Sequence, residues 1–439
     1  MSSTPRWTRG TTTTAAILGA AGLALAACAP SAPSAPSGAG SGASGDATSI
    51  TVGMEAGSPH EAFYREMAAE FTEETGIDVE ILGVPHDNMH QQFLSDAIAG
   101  GGAYDVLTVD QPWIAEFAQN GYLSPLGDRL EDADRDDFIA HTLDTVSYDG
   151  ELYGLPFLVH DLVTYYRPSL LEAAGVDEPP TTWDEYRAAA AATTDPGSGV
   201  YGTMVPGNRD GEVATRFESY VQQAGGDIVD ADGAPAIDTP EAREAFDLMT
   251  GIQFEDGSSP QGLHDLSAMQ GQFLEGKVAM ITIWPYLWAQ ATDPSQSKIA
   301  DDVAVALNPG NPDQVGTTFS WGFGVSASSD AQDAAWQWLH WATSSDVLAR
   351  KATEQLSPVP RTSSMETLAA SDELSQADRD ALAVFSESVG QSTTMPMTPA
   401  YAQYQTAIAE AVSAVMSQQQ SPDEALAAAQ SEMERAAGR

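Results

Sequence analysis

Charged and aromatic side chains directly follow several segments that have the composition of β-strands. Glu55 comes after the first such segment, Asp110 and Trp113 follow the third, and Trp284 and Tyr286 follow a later one. Because ligands of open α/β sheets bind beyond the carboxyl ends of the strands, these side chains are candidates for a binding site. Aromatic rings can stack on a ligand and carboxylates can accept its hydrogen bonds, so the chemistry they indicate is non-covalent recognition.

Several of these residues also have a purely structural interpretation. Asp110 stands just before Pro112 and could cap a helix, since Asp followed by Pro is a typical helix start. Trp113 begins the same helix and could pack in the core. Trp284 and a further candidate, Trp321, each stand beside a predicted strand and could also be core residues. The sequence leaves both roles open for each residue.

The sequence lacks the common catalytic and metal-binding motifs. It contains no Gly-x-Ser-x-Gly elbow, no His-Glu-x-x-His pair and no phosphate-binding loop. His86 and His90 stand four residues apart, but Asp87 and Asn88 between them are typical of a helix start. The single Cys excludes an internal disulfide and a Cys-based zinc or iron–sulfur site. We therefore expect no cofactor and no metal ion.

The elements that position the candidate residues alternate along the chain. Predicted strands at 49–54, 77–84 and 104–109 are separated by helices at 60–74 and 87–99. Strands joined through helices imply crossover connections and a largely parallel sheet covered by helices. From residue 371 onward the pattern is helical almost throughout, so the predicted fold class is α/β.

Composition limits the classes of partner. The 439 residues are enough for two or three domains. The chain has 63 acidic and 18 basic residues, a formal net charge of −45. This charge argues against nucleic-acid binding, because a phosphate backbone requires clusters of Lys and Arg. It also argues against polybasic adhesion to an anionic membrane.

The N-terminus has the features of an export signal. Arg6 and Arg9 precede an apolar run at 15–27 that is too short to span a membrane. The run ends in Leu-Ala-Ala before Cys28, which resembles the lipobox of bacterial lipoproteins and places the single Cys at the lipidation position. A stretch of Ala, Pro, Ser and Gly follows, too poor in large apolar residues to fold. We predict a signal peptide at 1–27 and a tether at 28–48.

Beyond the tether a series of motifs occurs in a fixed order: ITVGMEAG, FTEETGIDVEI, AGGGAYDVLTVDQPWIAEF, YDGELYGLPFLVHD, PTTWDEYRAAAAA, FLEGKVAMITIWPY and TTFSWGFGVSASS. Each motif alone is weak, but the ordered series resembles the extracellular solute-binding proteins of ABC importers. It is most similar to the sugar-binding group that includes maltose-binding protein. The resemblance covers residues 48–439.

The resemblance implies a two-lobed fold of the periplasmic-binding-protein type (type II), each lobe a mixed sheet flanked by helices. About three hinge crossings join the lobes, which close on the ligand. The predicted boundaries place lobe 1 at 49–157 and 308–352, and lobe 2 at 158–307 and 353–439. The first crossing is expected at 154–157 and the third at 358–360.

The same resemblance assigns further ligand contacts. His160 and Asp161 follow the first crossing and Arg361 follows the third. A satisfied buried histidine and a salt bridge at the crossing remain the alternatives for His160 and Arg361. Arg209 lies on a loop of the second lobe. The predicted ligand-binding residues are Glu55, Asp110, Trp113, His160, Asp161, Arg209, Trp284, Tyr286, Trp321, Arg361, Tyr401 and Tyr404, the last two in a segment that donates a stacking ring in the family.

Sugar binding suits this mixture of residues, because a pyranose has apolar faces for flat rings and a rim of hydroxyls for charged partners. The resemblance implies a monomer, lipid-anchored through Cys28 at the extracellular face of the cell membrane. It would capture a sugar and deliver it to the permease subunits of an ABC transporter, without enzymatic chemistry. The first strand ends in GMEAG rather than in the Trp-containing run often seen there. This departure favours a mono- or disaccharide over a long maltodextrin.

Three alternatives remain open. A secreted glycoside hydrolase would pair two carboxylates, but 63 acidic residues allow so many pairs that their number decides nothing. The same fold could bind another solute, such as a polyamine, iron or a peptide. Tyr165 and Tyr166 are adjacent, so in a strand they would point to opposite faces and could not share one metal ion. The third alternative is a cell-surface scaffold with no small ligand.

Overall fold

The computed structural model describes residues 47–231, 233–311 and 314–438. The predicted signal peptide at 1–27, the lipidation site Cys28 and nearly all of the tether at 28–48 lie outside the described residues. Within the described part of the chain, no helix is both long and apolar enough to cross a membrane.

Strands and helices alternate through the first part of the fold, as the sequence predicts. Within the described residues the strands are β1 (Ser49–Glu55), β2 (Asp78–Val84), β3 (Val106–Asp110), β4 (Ser147–Tyr148), β5 (Glu151–Leu152), β6 (Gly154–His160), β7 (Val163–Tyr166), β8 (Met280–Ile283), β9 (Ala304–Ala306), β10 (Thr317–Val325) and β11 (Thr393–Thr394). The helices are α1 (Pro59–Thr75), α2 (His86–Ile98), α3 (Gln111–Gln119), α4 (Asp132–Arg135), α5 (Pro168–Ala173), α6 (Trp183–Thr193), α7 (Gly211–Gln223), α8 (Pro240–Thr250), α9 (Leu266–Leu274), α10 (Leu287–Ala291), α11 (Gln332–Ala342), α12 (Ser345–Gln355), α13 (Thr362–Ala369), α14 (Gln376–Gln391), α15 (Tyr401–Met416) and α16 (Pro422–Ala436).

Local sequence explains where α1 starts and stops. The Ser58 hydroxyl accepts a hydrogen bond from the backbone N–H of Glu61 at 3.1 Å, and Pro59 occupies the first helical position. Both are strong N-terminal signals, since they satisfy or avoid unpaired N–H groups. The helix ends at Thr75, and Gly76 follows with a φ of 76°, the left-handed conformation that glycine adopts at least cost. Its inner face, buried on the sheet, consists of Phe63, Tyr64, Met67, Ala68 and Phe71.

The larger sheet has six strands and carries the first group of candidate residues. β1 pairs in parallel with β2 and β3, while β10 runs antiparallel between β3 and β6. β11 pairs with the start of β10. The carboxyl ends of β1, β2, β3 and β6 therefore lie at one edge, where Glu55, Asp110 and His160 stand. The mixed α/β class predicted from the sequence is confirmed.

A smaller antiparallel sheet of β8, β7 and β9 forms the centre of the second part. Because β6 continues to His160 and β7 begins at Val163, the two sheets are linked through Asp161 and Leu162. The segment 154–157, predicted as the first crossing, is instead buried within β6. The return link runs from β9 to β10. The lobe boundaries given above stay a prediction.

The residue predicted to follow the third crossing is paired with residues much earlier in the chain. Arg361, predicted just after a crossing at 358–360, forms ion pairs with Asp134 and Asp137 and a backbone bridge with Phe138. The next helix, α14, packs against β7 and β9 of the smaller sheet, whereas β11 after it pairs with β10 of the larger sheet. The chain therefore contacts both sheets between 376 and 394, and the position of the third crossing stays a prediction.

Candidate ligand-binding site

One wall of the candidate site is built at the edge of the larger sheet. Strand pairing places Trp321 of β10 directly opposite Asp110, the last residue of β3. The half-buried indole of Trp321 stacks on His86, with ring centroids 5.6 Å apart and planes at 28°. Trp113 lies on the first turn of α3. The centroid of its ring is 6.2 Å from that of Trp321, and the two ring planes make an angle of 56°. We call these residues, together with Glu55, the first wall.

The carboxyl group of Asp110 titrates far from its ordinary range. Burial raises the pKa of Asp110 to about 7, nearby Glu55 and Glu212 push it further up, and His86 opposes the shift. A carboxylic acid in this state exchanges between accepting and donating a hydrogen bond near neutral pH. Such a group suits a hydroxyl, which can act as either partner.

A second wall is built from the end of β8 and the start of α7. Trp284 follows β8, and its indole N–H donates to Glu212 Oε1 at 2.9 Å. Arg216, one turn further along α7 and buried, donates its Nε to the same oxygen at 2.9 Å. Gln270 donates to the hydroxyl of the half-buried Tyr286. We call Trp284, Tyr286, Glu212 and Arg216 the second wall.

The two walls lie near each other. His160, at the end of β6, stacks on Trp284 with centroids 4.5 Å apart and planes at 19°. Glu212 of the second wall acts electrostatically on Asp110, and Glu55 of the first acts on Tyr286. Aromatic rings and carboxylates thus converge from both sheets, which is the arrangement expected at the carboxyl edge of an open sheet.

His160 is held neutral within this arrangement. Burial lowers the pKa of His160 to about 3, and the neighbouring Lys351 lowers it further. A neutral imidazole carries one donor and one acceptor nitrogen, so it can stack on Trp284 and still serve a hydroxyl. The structure therefore gives His160 the buried position considered as its alternative, and a contact with the ligand stays a prediction.

The two predicted tyrosines of the last long segment are core residues. Tyr401 and Tyr404 open α15, and both side chains are buried. Tyr401 donates its hydroxyl to Glu218, while burial, Glu218 and the more distant Asp110 hold the pKa of Tyr401 well above its ordinary value. Its hydroxyl is thus engaged with α7. A stacking role for either tyrosine stays a prediction.

Three predicted residues are not brought to the walls. Asp161 is 1 % exposed and accepts hydrogen bonds from β10 and α14. Arg361 is 2 % exposed and is ion-paired with Asp134 and Asp137, which is the salt bridge considered as its alternative. Arg209 pairs with Glu410 at the surface. We leave these three out of the proposed ligand contacts.

Sequence reasoning missed three members of the two walls. His86 directly follows β2 and Pro85, so the strand-end rule that selected Glu55 would also have selected it. Glu212 and Arg216 stand on a helix rather than at a strand end, and their spacing of four residues is that of an ordinary surface ion pair. The sequence gives no sign that this pair turns inward.

The placement of Arg209 leads to a test. Its side chain is 64 % exposed and its partner Glu410 is also exposed, so the pair contributes little and lies apart from both walls. We expect Arg209→Ala to leave the dissociation constant of the ligand unchanged within about twofold. Isothermal titration calorimetry of the two proteins checks this. A tenfold loss of ligand affinity would show that the loop at 207–210 belongs to the binding site.

Among the residues that the structure describes, no group of three or more His, Cys, Asp or Glu side chains is arranged so that it could hold a metal ion. The absence of a metal or cofactor from the function stays a prediction.

Comparison with known proteins supports the resemblance seen in the sequence. The family model described as bacterial extracellular solute-binding protein matches residues 56–349. The mannitol-binding protein of Pseudomonas aeruginosa PAO1 is 30% identical over 263 residues, 58% of this chain and 60% of that relative. The chain thus matches less than two thirds of the length of this relative.

Solved structures match over more of the fold. The ABC transporter solute-binding protein of Agrobacterium radiobacter K84, in complex with ribitol, is 27% identical, with a TM-score of 0.79 over 89% of this chain and 99% of the other. That of Agrobacterium vitis S4, with bound D-mannitol, is 25% identical, with a TM-score of 0.73 over 88% and 97%. The two-lobed fold predicted from the sequence is confirmed, and the chain belongs to the bacterial extracellular solute-binding proteins.

Proposed function

We propose that this protein captures a sugar or a sugar alcohol between the two walls and releases it chemically unchanged to the permease of an ABC importer. The observation that carries the proposal is that the half-buried Trp321 of one sheet and the half-buried Tyr286 beside the other both lie among carboxylates. Trp113 and Trp284, next to them, are buried, with 7 % and 6 % of their surface exposed. Indole and phenol rings match the C–H faces of a polyol or pyranose. The carboxylates match its hydroxyls.

The proposed ligand is small. Glu55 rather than an aromatic residue ends β1, so the first wall offers the rings of Trp113 and Trp321 without a further one from β1. The relatives named above bind mannitol and ribitol, acyclic molecules of five or six carbons. A monosaccharide, a disaccharide or a linear polyol is therefore proposed.

The setting of the protein is proposed from its N-terminal sequence and its family. The lipobox-like motif before Cys28 supports a lipid anchor at the extracellular face of the cell membrane, with residues 28–48 as the tether. The family supports a membrane permease as partner. We propose that the protein acts as a monomer, because one chain supplies both walls.

Binding of a defined ligand tests the proposal. Calorimetry and thermal unfolding are carried out with D-mannitol, ribitol, maltose and D-glucose, and with spermidine to represent cationic solutes. We expect saturable binding of at least one sugar or polyol. At a ligand concentration 100 times its Kd, the ligand should raise the free energy of unfolding by about 2.7 kcal/mol.

Two outcomes would overturn the proposal. Stabilisation by spermidine alone would favour a binding protein for a cationic solute, as the cluster of Glu55, Asp110 and Glu212 would allow. Recovery of maltose as glucose after incubation would show hydrolysis, so chromatography of the ligand accompanies each titration. A binding protein returns the ligand intact.

A further inference from the structure

Asp161 occupies the link between the two sheets and is almost completely buried. It stands between β6 and β7, and its side chain accepts two well-formed hydrogen bonds. Oδ1 accepts from the backbone N–H of Thr317 at 2.9 Å, and Oδ2 accepts from the hydroxyl of Ser388 at 2.5 Å. Thr317 is the first residue of β10, directly after the return link, and Ser388 lies in α14. One carboxyl group therefore joins the link that carries it to two other parts of the chain, the start of β10 and α14.

The residue next to Thr317 fits this carboxyl group closely. A Cβ atom built on Gly316 would overlap Oδ2 and Cγ of Asp161. The Gly316 carbonyl accepts a hydrogen bond from the backbone N–H of Thr393, the first residue of β11, at 3.0 Å. The end of the return link is thus joined to the start of β11, and the neighbouring Thr317 is bonded to Asp161. A side chain at Gly316 has no room while the carboxyl group is in place.

A buried carboxyl group at this position is costly unless its hydrogen bonds are kept. Burial raises the pKa of Asp161 to about 7, while the hydrogen bonds from Ser388, Thr317 and Leu162 lower it. Removing the side chain would leave the N–H of Thr317 and the hydroxyl of Ser388 without this partner in the interior. The arrangement therefore favours one relative geometry of the connecting segments.

We infer that Asp161 is a positioning residue, whose carboxyl group holds the connections between the two sheets in the geometry that brings the two walls together. It acts on ligand affinity without touching the ligand. A protein whose binding-competent geometry is only partly populated binds more weakly in proportion to that population. The effect on affinity rests on the proposed function, whereas the effect on geometry does not.

The geometry is tested without a ligand. Spin labels are attached at Glu73→Cys on α1 and Asp247→Cys on α8, both exposed positions, in a Cys28→Ser background. Double electron–electron resonance gives the distribution of distances between them. We expect one narrow distribution in the parent protein and in Asp161→Asn, since Asn keeps the shape and an acceptor oxygen. Asp161→Ala should broaden the distribution; an unchanged one in a folded variant would overturn the inference.

A double-mutant cycle with Gly316 separates positioning from a general loss of stability. Gly316→Ala should broaden the distance distribution when Asp161 is present, because the new methyl group meets its carboxyl group. In the Asp161→Ala background the same substitution should have almost no further effect. Equal effects of Gly316→Ala in both backgrounds would contradict the inference even if Asp161→Ala alone is unstable.

Affinity provides the functional measurement. For whichever sugar or polyol of the panel binds the parent protein, we expect Asp161→Ala to raise the dissociation constant about tenfold and Asp161→Asn to change it less than about threefold. If broadened distances leave affinity unchanged, the link does not govern the site and the inference fails. If no panel ligand binds the parent protein, the proposed function fails while the distance measurements still decide the inference.

Discussion

Replacing Trp321 by Ala is expected to weaken ligand binding by about 2–4 kcal/mol, which corresponds to a dissociation constant roughly 30 to 1,000 times higher. The indole is half-buried in the protein and framed by His86 and Trp113, so one part of its surface remains for a ligand. Its truncation removes stacking area and opens the first wall to water beside Asp110. Calorimetry on the parent protein and the variant measures the loss.

Trp336→Ala is the matched control for this experiment. Trp336 is also half-buried, but it lies on α11, where it stacks on His340 with centroids 5.6 Å apart and faces Arg129. None of these partners belongs to either wall. We expect its loss to leave affinity unchanged. If Trp321→Ala binds the ligand as tightly as the control does, the indole belongs to the core and Trp321 is not part of the first wall.

Much of the site could be predicted from the sequence because strand ends are local features. Parallel strands bring their carboxyl ends to one edge, so residues that directly follow them meet whatever their separation along the chain. Glu55, Asp110 and Trp284 were found in this way. Trp321 was found through its place in a family motif, and the register of β10 then places it opposite Asp110.

The remaining residues could not be predicted because their partners are distant in sequence. Asp161 and Arg361 have the charge expected of ligand contacts, yet Asp161 is bonded to Ser388, 227 residues away, and Arg361 to Asp137, 224 residues away. Whether a charge is satisfied internally depends on such contacts, which no local pattern reveals. The position of the link between the sheets could not be predicted for the same reason. Only the pairing of β6 with β10 shows that β6 continues to His160.

Lys351 is expected to lower the stability of the protein, and Lys351→Met to raise the free energy of unfolding by about 3–5 kcal/mol at neutral pH. It is one of three lysines in the chain, is 0 % exposed on α12, and its ammonium group has no hydrogen-bond partner within the described residues. It lies 5.7 Å from the ring centre of Phe157, near His60 and His160. Methionine has a similar length and fills the same space without a charge.

The pH dependence identifies the cause of this effect. Burial lowers the pKa of Lys351 from its ordinary 10.5 to about 7, so the folded protein favours the neutral amine. The destabilisation is therefore complete below pH 7, decreases as the pH rises, and disappears above 10.5, where the unfolded chain is also neutral.

Urea unfolding at pH 6, 8 and 10 should show the stability advantage of the Met variant shrinking in that order. Lys298→Met, at an exposed lysine paired with Glu275, should show no such trend. If Lys351→Met is instead less stable at every pH, the buried ammonium group has a compensating partner and its burial stabilises the fold.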